Sequence, residues 1–473
     1  MVLPPKKCNA SLAESSKKPL VAACEAVSQA QQAQAQLERL NWDAAGIDIG
    51  ATSHFVAVPV DRDAQPVREF SAFTADLERL ADWLAQCRIR TVAMESTGVY
   101  WIPLFELLES RGFEVLLVNA HHVKHVPGRK TDVLDCQWLQ ELHTFGLLRG
   151  AFRPEESMCV LRAYLRQRAN LVRYAGMHIQ HMQKALNQMN LHLHHVVSDI
   201  TGVTGMTIIR AILDGERDPQ VLAQHRDRRC RQSAETIAKA LQGHWREEHL
   251  FALRQAVELF DVYQQQIARC DEEIAQVLAR LDPATGEDAP PPVRKYKADR
   301  NTPRIDDLRE QLFRLAGVDL TRIDGLNPHT VLKILSEIGT DLSRWPSVKQ
   351  FCAWLGLSPN NKISGGKRIG KSKTTPSANR AAAALRIAAL GLSNSQSALG
   401  GYLRRQKARL GAPKAITATA HKLATILYSM LVNKTEYAPP EANYYDVQYR
   451  KRVLSNLKRR ADQLGFDLIE RTA

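Results

Sequence analysis

The stretch between Trp42 and Val118 constrains the fold most. Residues 44–50 form a short apolar strand with one acid inside it, residues 54–60 a second strand, and residues 67–70 a third. The short turn-like links between them predict an antiparallel meander. Residues 77–86 have helical periodicity, residues 91–95 read as a fourth strand, 101–110 as a helix and 114–118 as a fifth strand. Three strands, then helix, strand, helix, strand, helix, describe an α/β unit with a mixed sheet covered by helices.

Acidic residues sit at informative points of this pattern. Asp48 lies within the first apolar strand, where an ionised carboxylate is costly unless a cation or hydrogen bonds compensate it. Glu95 ends the fourth strand, just before Ser96-Thr97-Gly98, and ligands gather at such strand ends in open sheets. Further on, the string Lys130-Thr131-Asp132-Val133-Leu134-Asp135 carries a loop into an amphipathic helix. Residues three apart share a helix face, and carboxylates there sit well against the positive end of the helix dipole. The plainer reading makes Thr131 or Asp132 an N-cap and Asp135 a solvated residue. Taken with the two upstream acids, however, four carboxylates can converge on one edge of the sheet. Hard oxygen ligands of this kind suit Mg²⁺ or Mn²⁺, and two such ions can clamp a phosphodiester.

At 473 residues the chain is too long for one core. Its net charge of +14 attracts a polyanion, most often nucleic acid. The eight cysteines are scattered singly, with no C-x-x-C pair, which suits buried thiols in a reducing cytosol better than a disulfide framework or zinc finger. No stretch reads as long and apolar enough to span a bilayer, and the first residues lack a signal-peptide apolar core, so a cytoplasmic protein without a membrane partner is expected. Residues 155–195 and 233–282 each read as one long helix and invite an antiparallel or intersubunit coiled coil. His192, His194 and His195 cluster near the end of the first, as a polar or nucleic-acid-facing group or a metal site. A Pro-rich linker covers 283–305. Arg322 to Gly339 resembles a helix-hairpin-helix whose usual second glycine is Asn327, a residue that tolerates positive φ. An ordinary turn between packed helices fits the same residues.

A second candidate site follows. Ser364 stands beside Gly365 and Gly366 in a cationic stretch with Lys362, Lys367, Arg368, Lys371 and Lys373. Glycines let a backbone approach phosphate closely, and the cations can neutralise it near a serine oxygen. Gly365 to Ser372 also matches the P-loop string G-x-x-x-x-G-K-S. A P-loop must follow a buried strand and open directly into a helix. Residues 358–362 do not read as such a strand, and Thr374-Thr375-Pro376 delays the helix, so nucleotide binding is not expected. Residues 378–392 and 413–433 read as helices of a core, and the basic tail from Tyr444 as an amphipathic helix that can lie on phosphates.

The strings G-I-D-I-G, M-E-S-T-G-V-Y-W and K-T-D-V-L-D, in this order, resemble the RuvC-like, ribonuclease-H-fold domain of the DEDD insertion-sequence transposases (insertion-sequence family 110) over residues 44–195. G-L-S-P, S-G-G-K and the helix from Arg380 resemble that family's carboxy-terminal domain over residues 318–435. The resemblance implies an extension over 1–40, a RuvC-like domain over 41–154, a helical coiled-coil region over 155–310, a mostly helical serine transposase domain over 311–435 and a tail helix over 436–473. It implies that Asp48, Glu95, Asp132 and Asp135 bind Mg²⁺ or Mn²⁺, and that Ser364, rather than Ser358, Ser372 or Ser377, forms a covalent phosphoserine link to DNA. Lys130, Lys362, Gly365, Gly366, Lys367, Arg368, Lys371, Lys373 and Arg380 would contact nucleic acid. Donor and target DNA, an element-encoded noncoding guide RNA, and a homodimer or homotetramer are the implied partners. The alternatives are a metal-dependent structure-specific nuclease resembling a Holliday-junction resolvase, in which Ser364 is structural, and a non-catalytic nucleic-acid scaffold.

Overall fold

A computed structural model describes residues 38–119, 132–281, 301–374, 378–441 and 444–469. Most of the amino-terminal extension, Lys130 and Thr131, most of the Pro-rich linker and Ser377 lie outside the described residues. The chain divides into two compact units, Met1–Arg153 and Pro154–Ala473.

In the first unit β1 (Ala44–Ile49), β2 (Ser53–Ala57) and β3 (Val67–Ser71) form the antiparallel meander. They are followed by α1 (Thr74–Gln86), β4 (Thr91–Glu95), α2 (Trp101–Ser110), β5 (Glu114–Val118) and α3 (Asp132–Thr144). The sheet order is β3-β2-β1-β4-β5, with β4 parallel to both β1 and β5. Residues on both sides of β1 are buried, Ala45 and Ile47 on one and Ala44 and Gly46 on the other, so both faces of the sheet are covered. On one face Ala45, Ile47, Ile49, Val92 and Met94 pack with Leu77, Leu80 and Leu84 of α1 and Leu104 and Leu108 of α2. The other face, carrying Gly46 and Asp48, receives α3.

The second unit opens with α4 (Glu156–Gln188). Four short helices follow: α5 (Leu193–Val196), α6 (Val203–Leu213), α7 (Pro219–Gln224) and α8 (Ala234–Ala240). Then α9 (Glu247–Arg280) returns along α4. At 33 and 34 residues, the two long helices each extend about 50 Å. Their antiparallel pairing is fixed by a buried ion pair, Arg168 with Asp271, and by Tyr263, whose ring lies 5.8 Å from Tyr174 and 5.3 Å from His178. The second long helix is shorter than the 233–282 expected from sequence. The chain leaves the helical ladder at Gln242-Gly243-His244, where the His244 N–H donates to the Met189 carbonyl (2.8 Å). The first likewise ends at Gln188, and His192, His194 and His195 lie at and in α5. The His192 and His195 rings stack at 5.1 Å.

The carboxy-terminal part contains α10 (Leu308–Ala316), α11 (Pro328–Ile338), α12 (Val348–Trp354), the hairpin β6 (Pro359–Ser364) and β7 (Lys367–Thr374), α13 (Arg380–Gly391), α14 (Ala398–Leu410), α15 (Ala412–Asn433) and α16 (Tyr444–Gln463). Asn327 does not take the left-handed conformation that a helix-hairpin-helix glycine would need. Its φ is −101°, and its side chain caps α11 by accepting the Thr330 N–H (2.8 Å). α15 is long and apolar enough to cross a membrane by length and composition, which corrects the expectation that no such stretch exists. Its Ala415, Thr419, Leu423, Leu427 and Leu431 are buried within the unit. α16 rests on α14 through Tyr445, 5.3 Å from Tyr402, and Tyr449, 5.4 Å from the Arg405 guanidinium.

Candidate active site

α3 crosses its face of the sheet against the strand direction. Near its C-terminal end, His143 Nε2 lies 2.8 Å from Thr91 Oγ1 at the start of β4. One turn earlier the Gln140 amide donates to the Ala44 carbonyl (3.4 Å). Gly46 meets the helix backbone itself: a Cβ there would stand 2.2 Å from Gln140 N and 2.4 Å from Cys136 O. The first turn of α3, with Asp132 and Asp135, therefore reaches toward the C-terminal ends of β1 and β4.

Strand periodicity sets the other two acids on the sheet face that α3 covers. Gly46 and Asp48 are two apart and share a face, as do Thr91 and Glu95, four apart. Ile47 pairs with Met94 in the parallel register, so the next step sets Asp48 level with Glu95. The Cys136 thiol, buried one turn into α3, senses the gathering of charge. Burial, then the Asp48 carboxylate and, more weakly, Asp135, push its pKa up to about 12. Asp48, Glu95 and Asp135 are half-buried and Asp132 is exposed. The Thr97 hydroxyl donates to Glu95 Oε1 (2.9 Å) and the Thr97 N–H to the Glu95 carbonyl (3.0 Å). Carboxylate oxygens are hard donors of the type that suits Mg²⁺ or Mn²⁺. Among the described residues, no group of three His, Cys, Asp or Glu side chains stands at metal-ligand spacing, so this edge is not a closed cage.

The far end of α3 makes the first unit sensitive to acid. Burial lowers the His143 pKa from 6.5 to about 4. The unfolded chain therefore binds the proton more readily between those values, and stability falls as pH drops through that window. Thermal melting of residues 38–153, followed within the full chain, should weaken from pH 6.5 to pH 4. His143→Gln should flatten that dependence; an unchanged slope would contradict the assignment.

Ser364 ends β6 and is exposed. Gly365 (φ 55°) and Gly366 (φ 73°) make the two-residue turn, and successive positive φ values are what a type I′ hairpin requires. Across the turn Ser364 pairs with Lys367, so both side chains project from the same face of the hairpin. Residues 359–364 are thus a strand, but one half of an exposed hairpin and not the buried strand that a P-loop must follow. The P-loop string runs through the turn and β7 instead of opening a helix, which removes the nucleotide-cradle geometry. For Lys362, Arg368, Lys371 and Lys373 the backbone alone is described, within the two strands. Arg380 is exposed at the first position of α13, which Asn379 caps.

Gly46 and Thr97 were not singled out from sequence. The signal for Gly46 was its place two residues before Asp48 on an otherwise apolar strand; for Thr97 it was adjacency to a strand-end acid.

Two family comparisons bear on this geometry. A DEDD-type IS110 family model described as "Transposase" matches residues 45–191, which span the sheet, α3 and α4. A second, described as "Transposase IS116/IS110/IS902 family", matches residues 319–402, which include the serine hairpin. The chain belongs to the IS110 family of transposases. The mixed five-strand sheet of this transposase with its helices is accordingly ribonuclease-H-like, and the family is DNA-binding. No curated protein matches the chain.

Proposed function

We propose that this transposase cuts and rejoins DNA through a covalent phosphoserine link made by Ser364 at a phosphate engaged by Asp48, Glu95, Asp132 and Asp135. The observation that supports the reading is the docking of α3 against β1 and β4, which turns the first turn of α3, with Asp132 and Asp135, toward the strand ends that carry Asp48 and Glu95. The exposed position of Ser364, beside a glycine turn and opposite Lys367, supports its part.

Ser364 Oγ attacks phosphorus and loses its proton as the P–O bond to one DNA strand breaks; the departing DNA oxygen takes up a proton. The phosphoserine ester conserves the energy of the broken bond. A hydroxyl of the incoming strand then attacks the same phosphorus, and Ser364 leaves, so no ATP is required. The Lys367 ammonium offsets charge that grows on the phosphate oxygens. A divalent cation bound by the four acids would supply further neutralisation of that charge. Thr97 holds the Glu95 carboxylate in place through its 2.9 Å hydrogen bond.

The acids and the serine lie in separate compact units of the chain. The active oligomer is a homodimer or homotetramer in which one copy's acids serve another copy's serine. A structured RNA from the element selects the DNA sites, and its copurification with the protein tests that part. Mixing Asp48→Asn and Ser364→Ala copies tests the shared site. Strand exchange should return to roughly a quarter or half of the wild-type level on simple mixing statistics, although each variant alone is inactive. Cleavage that persists undiminished in Ser364→Ala alone would favour a nuclease using activated water.

A further inference from the structure

Where the β4–α2 loop, next to Glu95, runs into α2, two neighbouring aromatics have opposite fates. Trp101 turns inward against Phe105, ring centroids 5.4 Å apart, and packs on the core. Tyr100 stays outside with 47% of its surface exposed, next to Val99 at 67%. Single exposed apolar residues are ordinary on protein surfaces. The setting of this pair is not, because the segment is pinned to β5, to Glu95 and to its own helix start. Ser96 N–H donates to the Val118 carbonyl (2.9 Å), Thr97 is bonded to Glu95 by backbone and side chain, and Ile102 N–H donates to the Val99 carbonyl (3.2 Å). Tyr100 is also braced from below. A Cβ on Gly98 would stand 3.4 Å from Tyr100 Cδ2 and Cε2, so the ring rests over that glycine, while its remaining surface meets solvent.

We propose that Tyr100, flanked by Val99, is a stacking platform for an unpaired nucleobase of the DNA strand whose phosphate the acids engage. Every base has a π-face, so an aromatic ring takes it without demanding a sequence. A platform five residues from Glu95, on a pinned loop, fixes the strand where chemistry occurs and favours DNA that is already unpaired. Bracing from Gly98 means little ring freedom is lost on binding. The inference rests on the acid edge acting on DNA.

The test uses the full-length protein without added divalent metal and single-stranded DNA carrying 2-aminopurine at every third position. Stacking should quench the fluorescence with the wild type and with Tyr100→Phe. Tyr100→Ala should lose the quenching at the affected position and bind about ten- to a hundredfold more weakly. Equal quenching by wild type and Tyr100→Ala would overturn the platform, and so would a loss in Tyr100→Phe as large as in Tyr100→Ala, which would mark a hydroxyl contact. Quenching confined to an RNA oligonucleotide of the same sequence would overturn the assignment to DNA. Asp48→Asn in a parallel cleavage assay separates the two claims. Cleavage lost in Asp48→Asn together with quenching unchanged in Tyr100→Ala sinks the platform alone, whereas cleavage intact in Asp48→Asn sinks the acid site.

Discussion

Asp48→Asn should lower DNA strand cleavage by about a thousandfold while leaving the melting temperature unchanged or higher. The two effects have one origin. Asp48 is a half-buried carboxylate on a strand whose neighbours Ile47 and Ile49 are buried. Placing a charge there costs stability, and an isosteric amide relieves that cost. In the proposed mechanism the same charge would hold a cation at the phosphate, a contribution of several kcal/mol, and each ~1.4 kcal/mol is a factor of ten in rate. Cleavage of a labelled duplex and calorimetric melting of the same preparation measure both. A variant that melts earlier and loses activity in proportion would place Asp48 in the scaffold instead.

Gly46→Ala should be the most damaging methyl group in the first unit. Its Cβ would stand 2.2 Å from Gln140 N, 2.4 Å from Cys136 O and 2.8 Å from Gln140 Cα. All three are backbone atoms of α3, so no side-chain rotation makes room and the helix must lift off β1. Overpacking of this kind costs about 1–3 kcal/mol. The catalytic loss should exceed the loss of stability, because Asp132 and Asp135 ride on α3 and move away from Asp48 with it. Melting and cleavage measured together should show a folded protein at 25 °C whose activity is reduced about a hundredfold or more, since small misplacements at a site cost that much. Wild-type melting with full activity would show that α3 does not need backbone contact with the strand.

The fold of the first unit was legible because its strands are short, apolar and separated by turn residues. β4 and β5 have the bounds that their runs of apolar residues predict. The acids were legible as residue types: an Asp inside an apolar strand, a Glu at a strand end and two Asp at a helix start. Their convergence on one sheet edge was legible as an expectation, but the way α3 lies across the sheet was not. That contact is made by Gly46, Cys136 and Gln140, whose side chains carry no chemistry of the expected kind. In the second unit local patterns misled in characteristic ways. Helical periodicity runs on through residues 233–282, but the chain breaks at residues 242–244 because a tertiary hydrogen bond to Met189 captures His244. Asn327 tolerates positive φ, yet its side chain is used as a cap. Residues 359–364 are an exception: the sequence offers no buried strand there, and the strand that forms is an exposed hairpin arm paired with β7 across the Gly365-Gly366 turn.

The central claim, that acids of the first unit and Ser364 of the second act on one phosphorus, is tested most directly by trapping the intermediate. DNA and transposase are incubated with Mg²⁺, denatured and digested, and the DNA-bound peptide is identified by mass spectrometry. A nucleotide esterified to Ser364, lost in Ser364→Ala and lost equally in Asp48→Asn, is the expected result. A nucleotide on another residue, or a Ser364 adduct that forms undiminished in Asp48→Asn, would contradict it.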